Sequence, residues 1–257
     1  MPTNTGYFVW HDLMTTDVEA SLAFYPELFG WTISEIPMGS FTYRRINFGD
    51  GGQGAFMPLD PEHGLPSHWM PYLAVDDVDA VVGGVEGLGG KPCVPAMDMP
   101  NIGRFAVVED PAGTPFTAFK GAGEGRDLTD RNHHGQFCWD DLAVPDPEAV
   151  LGFYREVAGW EVETSHAGMG PYHVVSPPGA SGPRSGIGGI MQRPPGTDGR
   201  PMWTPYVYVD GLEPMVARAV ELGATLDMGP YEAGEVGSMA FFTDPTGARF
   251  AMFQSPR

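Results

Sequence analysis

Residues 6–31 read GYFVWHDLMTTDVEASLAFYPELFGW, and residues 135–160 read GQFCWDDLAVPDPEAVLGFYREVAGW. Aligned without a gap at an offset of 129, the two stretches share 14 of 26 positions, Trp10/Trp139, Asp12/Asp141, Asp17/Asp146 and Trp31/Trp160 among them. The likeness resumes downstream at an offset of 134. WMPYLAVDD from Trp69 meets WTPYVYVDG from Trp203, and Gly103–Phe119 (GRFAVVEDPAGTPFTAF) meets Gly237–Phe253 (GSMAFFTDPTGARFAMF). The change of offset falls in the Pro- and Gly-rich stretch Pro177–Gly186, which reads as a longer loop. All six tryptophans form matched pairs. The chain is therefore a tandem repeat, and the repeat is the first fact its fold must satisfy. The reading places domain 1 at residues 1–120, a polar Gly-rich linker at 121–134, and domain 2 at residues 135–257.

Each repeat divides again. Residues 7–15 alternate as a strand. Asp17 can cap a helix because its carboxylate accepts N-terminal N–H groups. Val18–Phe29 carries apolar residues at helical spacing, and Gly30 is placed to end it. Three strands follow, at Trp31–Ile36, Thr42–Phe48 and Gln53–Pro58. The second half repeats the order: a strand at Trp69–Val75, a helix over Val78–Leu88, then strands near Lys91–Pro95, Gly103–Glu109 and Thr114–Phe119. The unit is βαβββ, four times in the chain. The fold class is α+β, with helices on one face of each curved sheet and an open face on the other.

Composition narrows the function. The 257 residues carry 14 Lys and Arg against 33 Asp and Glu, a net charge of −19. Nucleic-acid binding requires clustered cations, so that partner class is excluded. No stretch approaches the ~20 apolar residues of a membrane span, and Met1–Gly6 has neither the basic nor the apolar part of a secretory signal. A cytoplasmic protein is expected. Gly 36 and Pro 26 argue against long bundles. Cys93 and Cys138 are not symmetry mates, and each reads as a small core residue.

The repeats, with D-x-x-A-S-x-x-F-Y-x-x-x-x-G-W from Asp17, A-V-D-D-V-D-A from Ala74, and the turns Asp110-Pro-Ala-Gly113 and Asp244-Pro-Thr-Gly247, resemble the vicinal oxygen chelate superfamily. That superfamily includes glyoxalase I, bleomycin- and fosfomycin-resistance proteins and extradiol dioxygenases. The tandem form is similar to two-domain actinobacterial members. The resemblance implies paired βαβββ modules around a cup in which metal enzymes hold Fe, Mn, Ni or Zn through His, Gln and Glu. Carried over by motif, the ligand positions are Trp10, Met70 and Thr117 in repeat one, and Trp139, Thr204 and Ala251 in repeat two. None is a usual ligand for such a metal, so neither a metal nor another cofactor is expected.

Strand parity places Phe8, Trp10, Asp12, Met70, Tyr72, Thr117 and Phe119 on the concave face of repeat one, with Tyr43 nearby. Repeat two shows Phe137, Trp139, Asp141, Thr204, Tyr206, Tyr208, Ala251 and Phe253 there, with Tyr172 nearby. His11 falls on the opposite face, toward the helices. Aromatic and Met-rich walls with few polar groups suit a flat apolar ligand. The alternative is that the tryptophans plug the cups. Asp12 and Asp141 are either acid–base groups, raised in pKa by desolvation, or shape-holding carboxylates bonded to a Tyr or to backbone. The expected function is small-molecule binding, with a metal-independent lyase, isomerase or hydroxylase-type tailoring enzyme as the alternative.

Overall fold

The computed structural model describes residues 4–256, apart from 40, 50, 124, 126, 167–169, 181–184 and 197–198. Part of the loop expected at Pro177–Gly186 and of the linker expected at 121–134 thus lies outside the described residues. The helix signals act as read. Asp17 Oδ1 accepts from Ala20 N at 2.9 Å, and Gly30 takes the left-handed conformation that ends the helix. Asp146 and Gly159 do the same in the second repeat.

Repeat one runs β1 (Phe8–Thr15), α1 (Val18–Phe29), β2 (Thr32–Met38), β3 (Phe41–Phe48), β4 (Gly51–Pro58), β5 (His68–Ala74), α2 (Val78–Gly84), β6 (Lys91–Met99), β7 (Gly103–Glu109) and β8 (Pro115–Gly121). The helix expected to reach Leu88 passes into a 3₁₀ turn at Val85–Leu88, after Gly83 and Gly84, since adjacent glycines weaken an α-helix. Repeat two runs β9 (Phe137–Val144), α3 (Pro147–Ala158), β10 (Glu161–Ser165), β11 (Tyr172–Ser176), β12 (Gly188–Gln192), β13 (Thr204–Tyr208), α4 (Leu212–Glu221), β14 (Thr225–Glu232), β15 (Ser238–Thr243) and β16 (Arg249–Gln254). The strands form two eight-stranded mixed sheets, ordered β2-β3-β4-β1-β5-β8-β7-β6 and β10-β11-β12-β9-β13-β16-β15-β14. The second order is the first advanced by eight strands, so topology repeats as the sequence does. No described helix is long and apolar enough to cross a membrane.

Compact packing follows another division. The first unit contains the N-terminal residues up to Val9, Met70–Thr129 and Asp140–Trp203; the second contains Trp10–Trp69, Asp130–Trp139 and Thr204–Arg257. Each unit combines half of one repeat with half of the other. In the first, Phe153, Tyr154 and Trp160 pack with Val85, Val108, Phe116 and Trp203. In the second, Phe24, Tyr25 and Trp31 pack with Val207, Phe242, Phe250 and Trp69.

A buried relay fastens each unit. In the second, Trp69 Nε1 donates to Tyr25 Oη (3.2 Å) and Tyr25 Oη donates to Asp244 Oδ2 (2.9 Å). Asp244 Oδ1 in turn accepts from Thr246 N and Ala248 N inside its own D-P-x-G turn. In the first unit Trp203 Nε1, Tyr154 Oη and Asp110 repeat the chain at 3.2 and 3.4 Å, with Ala112 N and Thr114 N donating to Asp110. Burial first, and the facing carboxylate second, raise both phenols well above the ordinary tyrosine range, so both remain donors. The remaining core tryptophans close on backbone: Trp160 Nε1 donates to Gly6 O (2.7 Å) and Trp31 Nε1 to Gly135 O (2.6 Å).

Burial pushes the Asp110 carboxyl up to about 6, against its backbone and Tyr154 donors. A carboxyl raised in the folded state binds its proton more tightly there than in the unfolded chain. Its stabilising contribution is therefore full below about pH 4 and is lost as pH rises through about 6. Asp110→Asn keeps an acceptor for the two turn amides and removes the titration. Wild type should gain up to ~3 kcal/mol relative to this variant between pH 7.5 and 4. Urea unfolding of both proteins across that range measures it; parallel pH profiles would refute the assignment.

Candidate functional site

The described aromatic face of the second unit is built by β13, β16, β15 and β14. In register, Tyr206 lies beside Ala251 and Ala251 beside Phe241; Tyr208 lies beside Phe253 and Phe253 beside Met239. Residues level across a sheet share a face. Their alternates Val207, Met252, Ala240 and Phe242 enter the unit's core. Tyr206 and Ala251 form a buried floor with Cys138, whose Sγ donates to Tyr206 O at 3.5 Å. Trp139, Tyr208, Met239, Phe241 and Phe253 pack on that floor and remain half-buried. Phe241 meets Tyr206 edge-on (5.5 Å, 83°), and Tyr231, 39% exposed, stacks on Phe241 (6.3 Å, 15°). An aromatic wall thus climbs from a buried floor to an exposed rim. Thr204, half-buried, begins β13.

Trp139, Tyr206, Ala251 and Phe253, all predicted from parity, come together here. Met239, Phe241 and Tyr231 were missed. The alternation that flagged β13 and β16 also runs through Ser238–Thr243, where Met239 and Phe241 hold the same phase.

Trp10 and Asp12 lie on one face of β1, as expected. Trp10 Nε1 donates to Asp12 Oδ1 (2.8 Å), and Tyr43 Oη donates to the same oxygen (3.3 Å). Burial first, then the Asp12 charge, raises the Tyr43 phenol. The Trp10 indole lies against Gly52, where an added Cβ would be 2.7 Å from Cη2. In repeat two, Tyr172 Oη donates to Asp141 Oδ1 at 2.6 Å, and the Tyr172 ring rests on Gly189, where a Cβ would fall 2.0 Å from Oη. Both aspartates are buried with a phenol as partner. In the first unit Tyr72 lies level with Thr117 and meets Phe119 edge-on at 5.8 Å, while Met70 is half-buried on β5.

Other expectations change. Phe8 and Phe137, expected on the concave face, pack instead with core tryptophans, Phe8 against Trp160 and Trp203 at the edge of the first core and Phe137 against Trp31 and Trp69 inside the second. His11 stays apart from Trp10 and Asp12 as read: it is buried and stacks on Phe137 (4.3 Å, 28°). Cys138 is buried as read, but Cys93 is not a core residue. It is exposed on β6, where exposed and half-buried residues alternate from Lys91, and its thiol donates to Glu109 Oε1 at 3.0 Å. Partial desolvation of the thiol beside Glu109, with that carboxylate's hydrogen bond and charge, pushes it up to about 11.

The family "Glyoxalase-like domain" matches residues 136–253, and "Bleomycin resistance protein-like N-terminal" matches residues 7–47. A Mycobacterium tuberculosis protein described as glyoxylase CFP32 is 32% identical over 95% of this chain and 93% of its own. The anthracycline biosynthesis protein DnrV of Streptomyces peucetius is 31% identical over 97% of this chain and 93% of its own. The chain belongs to the vicinal oxygen chelate superfamily. Solved members share the fold at low identity. The Mn(II)-bound glyoxalase of Novosphingobium aromaticivorans has a TM-score of 0.66 and 16% identity, over 97% of this chain and 82% of that one. The 2,2',3-trihydroxybiphenyl 1,2-dioxygenase of Sphingomonas wittichii has a TM-score of 0.67 and 12% identity, over 98% of this chain and 91% of that one.

Metal chemistry in this superfamily draws on imidazole, carboxylate and carboxamide donors. The corresponding positions here carry Trp10, Met70, Thr117, Trp139, Thr204 and Ala251, and the Trp10 N–H is committed to Asp12. These residues do not fit the superfamily's metal. Among the described residues no group of three His, Cys, Asp or Glu side chains is placed to hold an ion.

Gly189→Ala should drive the Tyr172 ring off β12 and break its bond to Asp141. Inserting a methyl into a filled space costs ~1–3 kcal/mol, and losing the phenol's bond to a buried carboxylate adds to that. Denaturant unfolding of Gly189→Ala beside Tyr172→Phe tests this: the glycine variant should be the less stable of the two.

Proposed function

We propose that this superfamily member binds a flat, apolar, polycyclic aromatic molecule without a metal, on the face formed by Trp139, Tyr206, Tyr208, Met239, Phe241 and Phe253. The observation that carries the reading is the half-buried aromatic wall above a buried Tyr206–Ala251 floor. Offset or edge contacts to such rings add ~0.5–1.5 kcal/mol beyond area burial. The half-buried Tyr208 gives that wall a polar tip suited to an oxygen substituent on a ring system. A relative named for anthracycline biosynthesis, matched over nearly its whole length, agrees with a polycyclic aromatic ligand.

A hydroxyanthraquinone should quench the tryptophan emission of the wild type. Trp139→Ala should weaken its binding about tenfold, ~1.4 kcal/mol, and lower the melting temperature less than Trp203→Ala does, since Trp203 is fully buried in a core and its loss opens a cavity worth ~3–5 kcal/mol. No quenching, together with an equal stability loss for both variants, would make the face a filled scaffold.

The metal-free reading has its own check. Protein purified without chelator should carry well below one equivalent of Fe, Mn, Ni or Zn by elemental analysis. One bound equivalent whose removal abolishes ligand binding would overturn it.

A second reading, a tailoring enzyme with Asp12 or Asp141 as acid–base, draws on the buried Asp12–Tyr43 and Asp141–Tyr172 pairs. Turnover of a bound aromatic that Asp12→Asn or Asp141→Asn abolishes, with binding intact, would favour it.

A further inference from the structure

Arg45 stands apart from four other arginines. Arg44 pairs with Glu19 and Glu35, Arg104 with Asp79 and Asp98, Arg200 with Glu109, and Arg218 with Glu27 and Glu221. Among the described residues Arg155, Arg193 and Arg249 form no carboxylate pair either; what sets Arg45 apart is that it is held in place on a strand face beside an indole. Arg45 is half-buried, yet its Nε donates to Asn47 Oδ1 (3.0 Å), and among the described residues its two terminal nitrogens meet no carboxylate.

The side chain is nonetheless held. Asn47 Nδ2 donates to Ser34 Oγ (2.9 Å) and Thr32 Oγ1 (3.4 Å), so the acceptor that orients Nε is itself fixed from β2. Thr32 and Asn47, Ser34 and Arg45, and Ile36 and Tyr43 are level pairs of the β2–β3 ladder, which puts all of them on the face of Tyr43 and Asp12. The stem of Arg45 lies on Gly52 beside the Trp10 indole: a Cβ at Gly52 would be 2.7 Å from Trp10 Cη2 and 3.1 Å from Arg45 Cδ. The Asp12 carboxylate on this face is already bonded by Trp10 and Tyr43.

We propose that this face of repeat one is a second ligand site, in which the Arg45 guanidinium takes the carboxylate of an aromatic acid whose ring lies on Trp10. A guanidinium with Nε anchored keeps a planar pair of donors that matches a carboxylate. With the Asp12 carboxylate on the same face, a monoanion is opposed less than a phosphate dianion would be. The counterpart of Arg45 at the offset of 129 is Val174, so the site belongs to repeat one alone. It does not rest on the reading of the Trp139 face.

The test uses the full chain, tryptophan fluorescence, and three probes: 1-naphthoate, its neutral isostere 1-naphthamide, and inorganic phosphate. Wild type should bind the acid at least tenfold tighter than the amide, and phosphate should not displace it at equal concentration. Arg45→Gln should erase the preference while leaving amide affinity within twofold. Arg45→Lys should restore only part of it, because a point charge replaces the fork. Asn47→Ala should weaken the acid to an intermediate degree. Equal affinity for acid and amide, no saturable acid binding, displacement by equimolar phosphate, or a full preference retained in Arg45→Gln would each overturn the proposal. A neutral hydroxyanthraquinone reports the Trp139 face and should bind Arg45→Gln unchanged, so either site can fail without the other.

Discussion

The constraint on which the rest depends is the buried chain of donors from a tryptophan through a tyrosine to the aspartate of a D-P-x-G turn. Tyr25 and Tyr154 are wholly buried, and a phenol without an acceptor would be costly there. Their acceptors, Asp244 and Asp110, come from the other repeat. Neither repeat can therefore satisfy its own helix tyrosine. Each aspartate is also the organiser of its turn, accepting two backbone N–H groups. Turn, helix and core tryptophan are fixed in one arrangement, which explains why compact units form from halves of different repeats while the sheets follow the repeats themselves.

With the cores so fixed, the opposite strand faces are free to diverge. At the ligand positions of the superfamily's metal enzymes both repeats carry tryptophan on the first strand, but in different settings. Trp10 is tied by its N–H to Asp12 and laid on Gly52, next to an oriented arginine. Trp139 stands among Tyr206, Tyr208, Met239, Phe241 and Phe253. The glycines matter here for space rather than for backbone freedom: neither Gly52 nor Gly189 has a left-handed φ, yet each lies under an aromatic ring that a methyl would displace. One architecture thus presents a polar-edged face and a largely aromatic one.

Much of this was legible in the sequence. The gapless offset between Trp10 and Trp139 exposed the duplication, Asp17 and Gly30 marked the helix ends, and two-residue alternation placed Asp12 with Trp10 and Tyr206 with Phe253. These are local signals, and local physics suffices to read them. Alternation on Ser238–Thr243 held Phe241 and Met239 in the same way. It erred at Phe8 and Phe137, which pack with core tryptophans instead. It erred at Cys93, because small size suggests burial whereas β6 leaves that face open.

What the sequence by itself determined is the βαβββ module and its fourfold use, since both depend on residue type at a fixed spacing along one chain. What only the tertiary structure decided is partnership. Tyr25 and Asp244 are 219 residues apart, and nothing local says that the acceptor for one repeat's helix lies in the other repeat's turn. Arg44 and Arg45 are neighbours of identical chemistry, yet one is neutralised by Glu19 and Glu35 and the other is held by Asn47 on the opposite face. A sequence records which groups exist; which of them are already paired depends on side chains brought together across the sheet and from distant elements, and that is settled only when the chain closes on itself.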